Sequence, residues 1–496
     1  MSTPTTNLPL RQLMLTFAYL AYTGEEISPL DNPDPTINKL INKALPQIQL
    51  SGGESPGDWD VVWGPVTYTV PGAKYQENML YVVNRRGSND FVIANRGTNF
   101  VSQVDWFLDD FEIYYTMPWP VPQSGKPAEP GVEISESTSI DLNIVIEPSL
   151  MSFHNVGLIE FLRNITQEHE INLCVTGHSL GAALANVLSL YLLENPDLWD
   201  HTGASTVSCI SFAAPTIGND KLAVRALNAF AEASQKGTFP GWDESLGTNM
   251  DNVRSNMDTI PLFSTASNIY VNEAAGPLFS IYSTPNNPSG NIKFDFSITS
   301  APESHVEWDY FQSYLLAKVA SALAEQNYTQ LLQSKSLITG EFIGNTIDLN
   351  NPGLTTVLEA FATQAAWQHS NSYPAVLDTH VLLDPRIVNK TGEENPTLAI
   401  PHIDSISPDS NEHYWIKTDI SVTITGKNFS TGFFSNFIVF SDPKFSFPYE
   451  VKSVTDTEIK VVFKTGGTPK GEYKFTIFHT TLFNQSNEVS FKIERL

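Results

Sequence analysis

Apolar residues follow two rhythms through the first part of the chain. Short continuous apolar runs at residues 91–94, 173–175 and 207–212 predict buried strands of the parallel-sheet type. Longer runs at residues 182–193 and 222–233 have the length and spacing of helices. Strands that alternate with helices in this way predict an α/β sheet covered on both faces.

The same patterns predict the remaining elements of this region. Residues 79–83 and 91–94 flank Arg85-Arg-Gly-Ser-Asn-Asp90, which has the composition of a hairpin turn. Other strands are predicted at residues 61–70, 142–146, 252–254, 269–271 and 292–298, and other helices at residues 13–22, 37–44, 158–163, 308–324, 328–334 and 354–367.

The pattern changes near residue 400. From there the strands are short, rich in Thr, Val, Ile and Phe, and separated by turn residues at the spacing of a β-sandwich; they are predicted at residues 421–425, 437–440, 458–463, 472–478 and 489–493. We therefore expect three parts: an α/β domain at residues 1–325, a helical extension and linker at 326–396, and an all-β sandwich at 397–496.

Composition and charge exclude several classes of function. The 496 residues include 54 Asp and Glu against 28 Lys and Arg, a formal net charge of −26 at pH 7. Binding to nucleic acid or to an anionic membrane needs a basic surface, so neither partner is expected. The chain contains only Cys174 and Cys209, which excludes a disulfide framework. No apolar run reaches membrane-spanning length, and residues 13–22 make a poor signal peptide; we expect a cytoplasmic protein, or one exported by a route that the sequence does not reveal.

The segment Gly177-His178-Ser179-Leu180-Gly181 joins a predicted strand to a predicted helix. A serine at such a turn is held above the sheet, where a base can remove its proton, and this arrangement is called a nucleophile elbow. The N-terminus of the following helix presents backbone N–H groups, so the amide of Leu180 can stabilise an oxyanion. Ser179 is therefore the predicted nucleophile.

A serine nucleophile also needs an acid and a base at the same edge of the sheet. In chains with this elbow the order is serine, acid, histidine. Asp258 follows the strand predicted at residues 252–254, and His305 follows the last predicted strand. Asp251 and His369 are the alternatives; neither sits as clearly at the end of a strand, and His369 would require a long return of the chain. We expect no metal and no cofactor.

Residues 101–121 are unusually aromatic and end in a Pro- and Gly-rich loop. We expect Trp106 to pack in the core. Residues 111–121 are expected to form a mobile cover over an apolar cleft.

Four motifs in order resemble the class 3 lipases, the family of the filamentous-fungal triacylglycerol lipases, over about residues 10–325. They are Arg96-Gly-Thr98 with Asp105-Trp106, the elbow, Phe212-Ala-Ala-Pro-Thr-Ile-Gly-Asn219, and Asp258-Thr-Ile-Pro261. The resemblance implies an α/β-hydrolase fold with Ser179 as nucleophile and Asp258 orienting the base. It also implies an oxyanion hole formed by Thr98 and Leu180 and a lid after the Arg-Gly-Thr strand. The paired cysteines of the family are missing.

The C-terminal part is similar to the IPT/TIG domain, an immunoglobulin-like fold, most recognisably at Ile424-Thr-Gly-Lys-Asn-Phe429. In bacterial enzymes such modules usually act as spacers or packing partners.

Together, the elbow, the candidate acid and base and the family resemblance predict a triacylglycerol lipase or carboxylic ester hydrolase. We expect it to cleave lipid esters at a lipid–water interface through an acyl-enzyme. A phospholipase A1 or a short-chain carboxylesterase is the alternative enzyme. A catalytically silent lipase-like scaffold is the alternative from another class.

Overall fold

The structure is a computed structural model. It describes residues 7–23, 33–69, 78–96, 115–119, 129–258, 328–331, 333–340, 368–369, 372–379, 401–411, 419–429, 436–440, 449–465, 468–479 and 484–494. The strands predicted at 269–271 and 292–298 and the helices predicted at 308–324 and 354–367 lie outside the described residues. The chain divides into a first unit, residues 1–271, 319–339 and 373–398, and a second unit, residues 272–318, 340–372 and 399–496.

The first unit is built on a seven-stranded mixed sheet in the order β1-β2-β3-β8-β9-β10-β11. Its strands are β1 (Trp59–Tyr68), β2 (Asn78–Arg85), β3 (Asp90–Arg96), β8 (Asn172–His178), β9 (Thr206–Phe212), β10 (Met250–Ser255) and β11 (Leu337–Ile338). The first three strands pair antiparallel, and every pairing from β3 to β11 is parallel. The hairpin and the parallel α/β sheet expected from the sequence are confirmed.

Short strand pairs lie beside the main sheet. They are β4 (Thr116–Pro118) with β5 (Glu133–Ser135), and β6 (Ser152–Phe153) with β7 (Val156–Gly157). The α-helices are α1 (Leu8–Leu20), α2 (Asp34–Ala44), α3 (Glu136–Ile146), α4 (Leu158–Ile165), α5 (Leu180–Glu194), α6 (Pro196–Trp199), α7 (Asp220–Lys236) and α8 (Ser372–Val376).

Both faces of the sheet are covered by helices. Successive side chains of a strand point to opposite faces, so a strand can contribute to two cores. In β3, Phe91 and Ile93 face a core shared with α3, α4, α5 and α7, whereas Val92 and Ala94 face a core shared with α1 and α2. A fully buried aliphatic or aromatic side chain contributes about 1.5–3 kcal/mol. The continuous apolar runs in the sequence therefore reflect strands that pack on two sides.

Helix α1 is more deeply buried than the predicted amphipathic helix, with ten of its thirteen residues buried. Its backbone carbonyls accept side-chain hydrogen bonds from the sheet, at Phe17 from the Tyr81 hydroxyl (2.7 Å) and at Met14 from the Thr176 hydroxyl (3.3 Å). The helix therefore forms part of the core.

Two predictions of secondary structure are wrong. Residues 142–146, predicted as a strand, are the end of α3, because Leu142 and Val145 lie three residues apart on the helix side that faces the core. Residues 328–331, 333 and 334 do not form the predicted helix. Tyr328 instead pairs with Asn219 in an isolated bridge, and a short 3₁₀ turn follows at Ser334–Ser336.

The boundary predicted at residue 325 does not coincide with the end of the sheet. Strand β11 pairs with β10 through Leu337 and Ile338, so part of the predicted linker supplies the seventh strand. Two residues are too few to be recognised as a strand from apolar periodicity.

The C-terminal residues of the second unit form two sheets that share one buried core. The first sheet has the order β12-β14-β17-β16: β12 (His402–Ser407), β14 (Asp419–Lys427), β17 (Glu458–Lys464) and β16 (Tyr449–Val454). The second has the order β13-β20-β18-β15, with β19 beside β18: β13 (Ser410–Asn411), β20 (Val489–Ile493), β18 (Gly471–His479), β15 (Asn436–Phe440) and β19 (Asn484–Gln485). All five predicted strands are present, and the immunoglobulin-like assignment stays a prediction.

In the part of the chain that the structure describes, no helix has both the length and the apolar character needed to cross a membrane.

Candidate active site

The turn between β8 and α5 holds Ser179 in an uncommon backbone conformation, with φ 60° and ψ −129°. Positive φ is unfavourable for residues with a Cβ, and a residue held in such a region costs about 1–3 kcal/mol. The surrounding structure must hold the strain in place. Ser179 lies at the carboxyl end of a parallel strand, where open α/β sheets bind their ligands.

Gly177, the first of the two glycines around Ser179, has a steric reason. A Cβ atom on Gly177 would lie only 2.1 Å from the carbonyl oxygen of Gly181, which is backbone and cannot move aside. Strand and helix therefore touch backbone to backbone at this turn. This close approach requires a glycine at position 177.

Helix α5 begins at Leu180, directly after the serine. The amides of Ala182 and Ala183 donate to the Ser179 carbonyl oxygen at 2.9 and 3.2 Å. The first N–H groups of a helix have no acceptor within the helix and lie at its positive end. The position of Leu180 is therefore compatible with its predicted oxyanion role.

Asp258 lies beyond the same edge of the sheet. His178 is level with Phe212, and Phe212 is level with Val253, so the chain leaves β10 close to the elbow. Asp258 is fully buried, and its Oδ2 accepts a hydrogen bond from the Tyr373 hydroxyl at 2.8 Å. The acid predicted from the sequence thus has a defined, buried position.

Asp251, the alternative acid, has a different environment. It is level with Ile210, inside the sheet and not beyond its edge. Its carboxylate receives two 2.8 Å hydrogen bonds from the Arg11 guanidinium and one of 2.6 Å from the Ser336 hydroxyl. Asp251 therefore ties α1 and the turn before β11 to β10.

A group of tyrosines surrounds the elbow histidine. The rings of Tyr19, Tyr22 and Tyr373 lie 5.1, 5.9 and 5.9 Å from the imidazole of His178, centroid to centroid. Burial, and next the charge of Asp258, raise the pKa of Tyr373 well above its usual value. Its hydroxyl therefore remains protonated and can donate to Asp258.

The structure describes only some of the predicted site residues. Ser179, Leu180 and Asp258 lie together at one edge of the sheet. Thr98 and His305 lie outside the described residues, as does Trp106. His369 is buried. Tyr373, four residues later in the sequence, lies against Asp258, so the chain does return to this edge after the predicted helices.

No site role for Tyr22 follows from the sequence, which marks Tyr373 only as the tyrosine that follows His369 within a turn. Tyr22 contacts His178 across 156 positions of sequence and Tyr373 contacts Asp258 across 115.

Part of the predicted cover is fixed in place. Thr116–Pro118 pairs with Glu133–Ser135, and the indole N–H of the buried Trp119 donates to Glu194 at 2.9 Å. Tyr115 is 64% exposed. Residues 116–119 of the segment predicted at 111–121 are therefore anchored to the core, and residues 111–114, 120 and 121 lie outside the described part.

Within the described ranges, no three His, Cys, Asp or Glu side chains are grouped so that they could hold a metal ion.

Comparison with known proteins agrees with this fold and turn. Residues 92–265 match the family model described as lipase (class 3). The crystal structure of M37 lipase superposes with a TM-score of 0.55 at 25% sequence identity, covering 75% of this chain and 93% of that chain.

Among curated proteins, phospholipase A1-II 1 of Oryza sativa subsp. indica is 29% identical over 136 residues. The match covers 27% of this chain and 33% of the relative, and phospholipase A1-II 1 of Oryza sativa subsp. japonica matches to the same extent. The chain thus spans about a third of the length of the curated relatives it matches. Together the comparisons show that residues 92–265 are similar to the class 3 lipase family, and they support an α/β-hydrolase fold.

Proposed function

We propose that the protein is a serine ester hydrolase that cleaves lipid esters through an acyl-enzyme. The observation that carries the proposal is the strained Ser179 at the start of α5, with the buried carboxylate of Asp258 beyond the same edge of the sheet. A strained serine at a strand-to-helix turn is the form in which α/β-hydrolases present their nucleophile.

In the proposed reaction Ser179 Oγ attacks the ester carbonyl while its proton passes to a histidine. The negative charge on the tetrahedral oxygen is stabilised by the backbone amides of Leu180 and Thr98. Collapse of this intermediate expels the alcohol, which takes the proton from the histidine and leaves Ser179 acylated. Water then repeats the sequence and releases the carboxylic acid. Asp258 orients the histidine and stabilises its cationic form.

Two histidines are candidates for the base. His305 is favoured by its predicted position after the last strand. His369 was set aside because it needs a long return of the chain, and the contact between Tyr373 and Asp258 removes that objection. We propose the triad Ser179, Asp258 and His305, and His369 is the alternative base.

Alanine variants of the two histidines, assayed on one soluble ester, decide between them. Loss of the base should lower kcat by orders of magnitude, whereas loss of the other histidine should alter mainly thermal stability. If His305→Ala keeps its kcat and His369→Ala is folded but inactive, His369 is the base.

For the substrate we propose acylglycerols at a lipid–water interface. The rice relatives carry the name phospholipase A1, which keeps that activity as the alternative. Rates on emulsified triacylglycerol, on phosphatidylcholine and on p-nitrophenyl esters of increasing chain length separate the three possibilities. A preference for phosphatidylcholine would assign a phospholipase, and activity confined to short soluble esters would assign a carboxylesterase.

A further inference from the structure

The peptide group between His178 and Ser179 controls the conformation of the proposed nucleophile. Rotation of this group changes ψ of His178 and φ of Ser179 together, because the peptide itself is planar. The positive φ of Ser179 would relax if the group were free to turn. Whatever fixes its two polar ends therefore fixes the serine.

Both ends of this peptide group are held. The Ser179 N–H donates to the Phe212 carbonyl oxygen at 3.0 Å, across to β9. The His178 carbonyl oxygen accepts from the Tyr22 hydroxyl, also at 3.0 Å. The first bond belongs to the sheet, whereas the second comes from a side chain 156 positions away in sequence.

Tyr22 is itself well placed to hold this position. It is 4% exposed and follows α1, where its amide donates to the Tyr19 carbonyl oxygen at 3.0 Å. Its hydroxyl also lies 3.1 Å from His178 Nδ1. A carbonyl can only accept, so the hydroxyl proton is directed to the His178 oxygen and Nδ1–H donates to the hydroxyl. The Tyr22 hydroxyl thus forms hydrogen bonds with both the backbone carbonyl and the imidazole of His178.

We propose that Tyr22 is a positioning residue whose hydroxyl holds the His178–Ser179 peptide in the strained orientation that presents Ser179 to the substrate. This inference rests on the proposed role of Ser179 as nucleophile. Without the hydroxyl, the peptide turns towards a relaxed conformation for part of the time, and fewer molecules are competent to react.

The test compares Tyr22→Phe with Tyr81→Phe. Tyr81 is a matched control, because its buried hydroxyl also donates to a backbone carbonyl, that of Phe17. For Tyr22→Phe we expect kcat on a soluble ester, and the rate of labelling by a fluorophosphonate, to fall about tenfold with KM unchanged. For Tyr81→Phe we expect a lower Tm with kcat unchanged. Equal kcat in wild type and Tyr22→Phe would overturn the proposal.

A second measurement tests the strain directly. The change Ser179→Gly removes the cost of positive φ. In the wild-type background, relaxation of Ser179 offsets part of the destabilisation caused by Tyr22→Phe. In the Ser179→Gly background there is no strain to relax, so Tyr22→Phe should lower Tm by more. Additive losses would mean that Tyr22 does not hold the strain and would contradict the proposal.

Two further controls keep the outcomes distinct. If Tyr22→Phe does not fold, 4-fluorophenylalanine at position 22 fills the space of the hydroxyl without donating a hydrogen bond; reduced kcat with unchanged KM supports the proposal, and wild-type kcat overturns it. Turnover by Ser179→Ala at the wild-type rate would refute the proposed function itself. An inactive, unlabelled Ser179→Ala beside a fully active Tyr22→Phe would refute only the role of Tyr22.

Discussion

The buried ion pair between Arg11 and Asp251 offers a test of which carboxylate serves stability and which serves chemistry. Both side chains are at most 1% exposed and meet through two 2.8 Å hydrogen bonds. We expect Asp251→Asn to destabilise the first unit strongly while leaving turnover per folded molecule within several-fold. Asp258→Asn should do the reverse.

The expected loss of stability follows from the charge of Arg11, which remains buried. Asp251→Asn leaves the Arg11 guanidinium buried without a counter-charge, and breaking a buried pair on one side costs about 3–5 kcal/mol. For a domain of this size each kcal/mol lowers Tm by about 2–4 °C, so the expected loss is about 6–20 °C. The double change Arg11→Met with Asp251→Leu removes both charges and should cost much less than either single change.

Scanning calorimetry gives Tm, and active-site titration with a fluorophosphonate normalises kcat to folded, competent enzyme. Asp258→Asn should lose orders of magnitude in kcat with a modest change in Tm. The reasoning fails if Asp251→Asn keeps its Tm and loses turnover, or if Asp258→Asn remains active, because Asp251 would then be the acid.

Three further predictions concern the elbow and the core. Gly177→Ala places a Cβ 2.1 Å from the Gly181 carbonyl oxygen, so we expect loss of folded enzyme or of labelling by a fluorophosphonate; normal yield and labelling would show that the turn is looser than described. Ala213 has φ 57°, so Ala213→Gly should raise the free energy of unfolding by up to about 1 kcal/mol in urea titrations, and destabilisation would count against strain there. Burial raises the pKa of Cys209 to about 12 and the pKa values of Tyr81 and Tyr373 well above the usual value. These groups ionise first in the unfolded chain, so stability should fall above about pH 9 for Cys209 and above about pH 10 for the two tyrosines, by about 1.4 kcal/mol per group per pH unit. A flat profile of Tm between pH 8 and 11 would contradict this.

Local patterns predicted most of the first unit because its elements are long and their apolar faces are regular. Residues 173–175 and 182–193 mark the strand and the helix around Ser179, and the apolar run at 207–212 marks the next strand. The end of α3 was mistaken for a strand, because Ile144 and Val145 are β-branched and favour a strand, and a short apolar run cannot be told from a buried helix by its periodicity. Strand β11 was missed because it contains two residues.

The long-range contacts of the core and of the candidate site could not be predicted from the sequence. Arg11 and Asp251 are 240 positions apart, and Tyr22 and His178 are 156 apart. These contacts depend on how α1 packs across the sheet, and the local pattern of apolar residues does not reveal that packing. The position of Asp258 was nevertheless predictable, because the end of a parallel strand leads to the same edge as the elbow.

The central claim is that Ser179 is the nucleophile, and a fluorophosphonate followed by peptide mass spectrometry tests it most directly. We predict one phosphonyl group per chain, carried by the peptide that contains Ser179, with ester hydrolysis lost in proportion to labelling. Ser179→Ala should remain folded, unlabelled and inactive. Label on another residue, or hydrolysis by Ser179→Ala at the wild-type rate, would contradict the account.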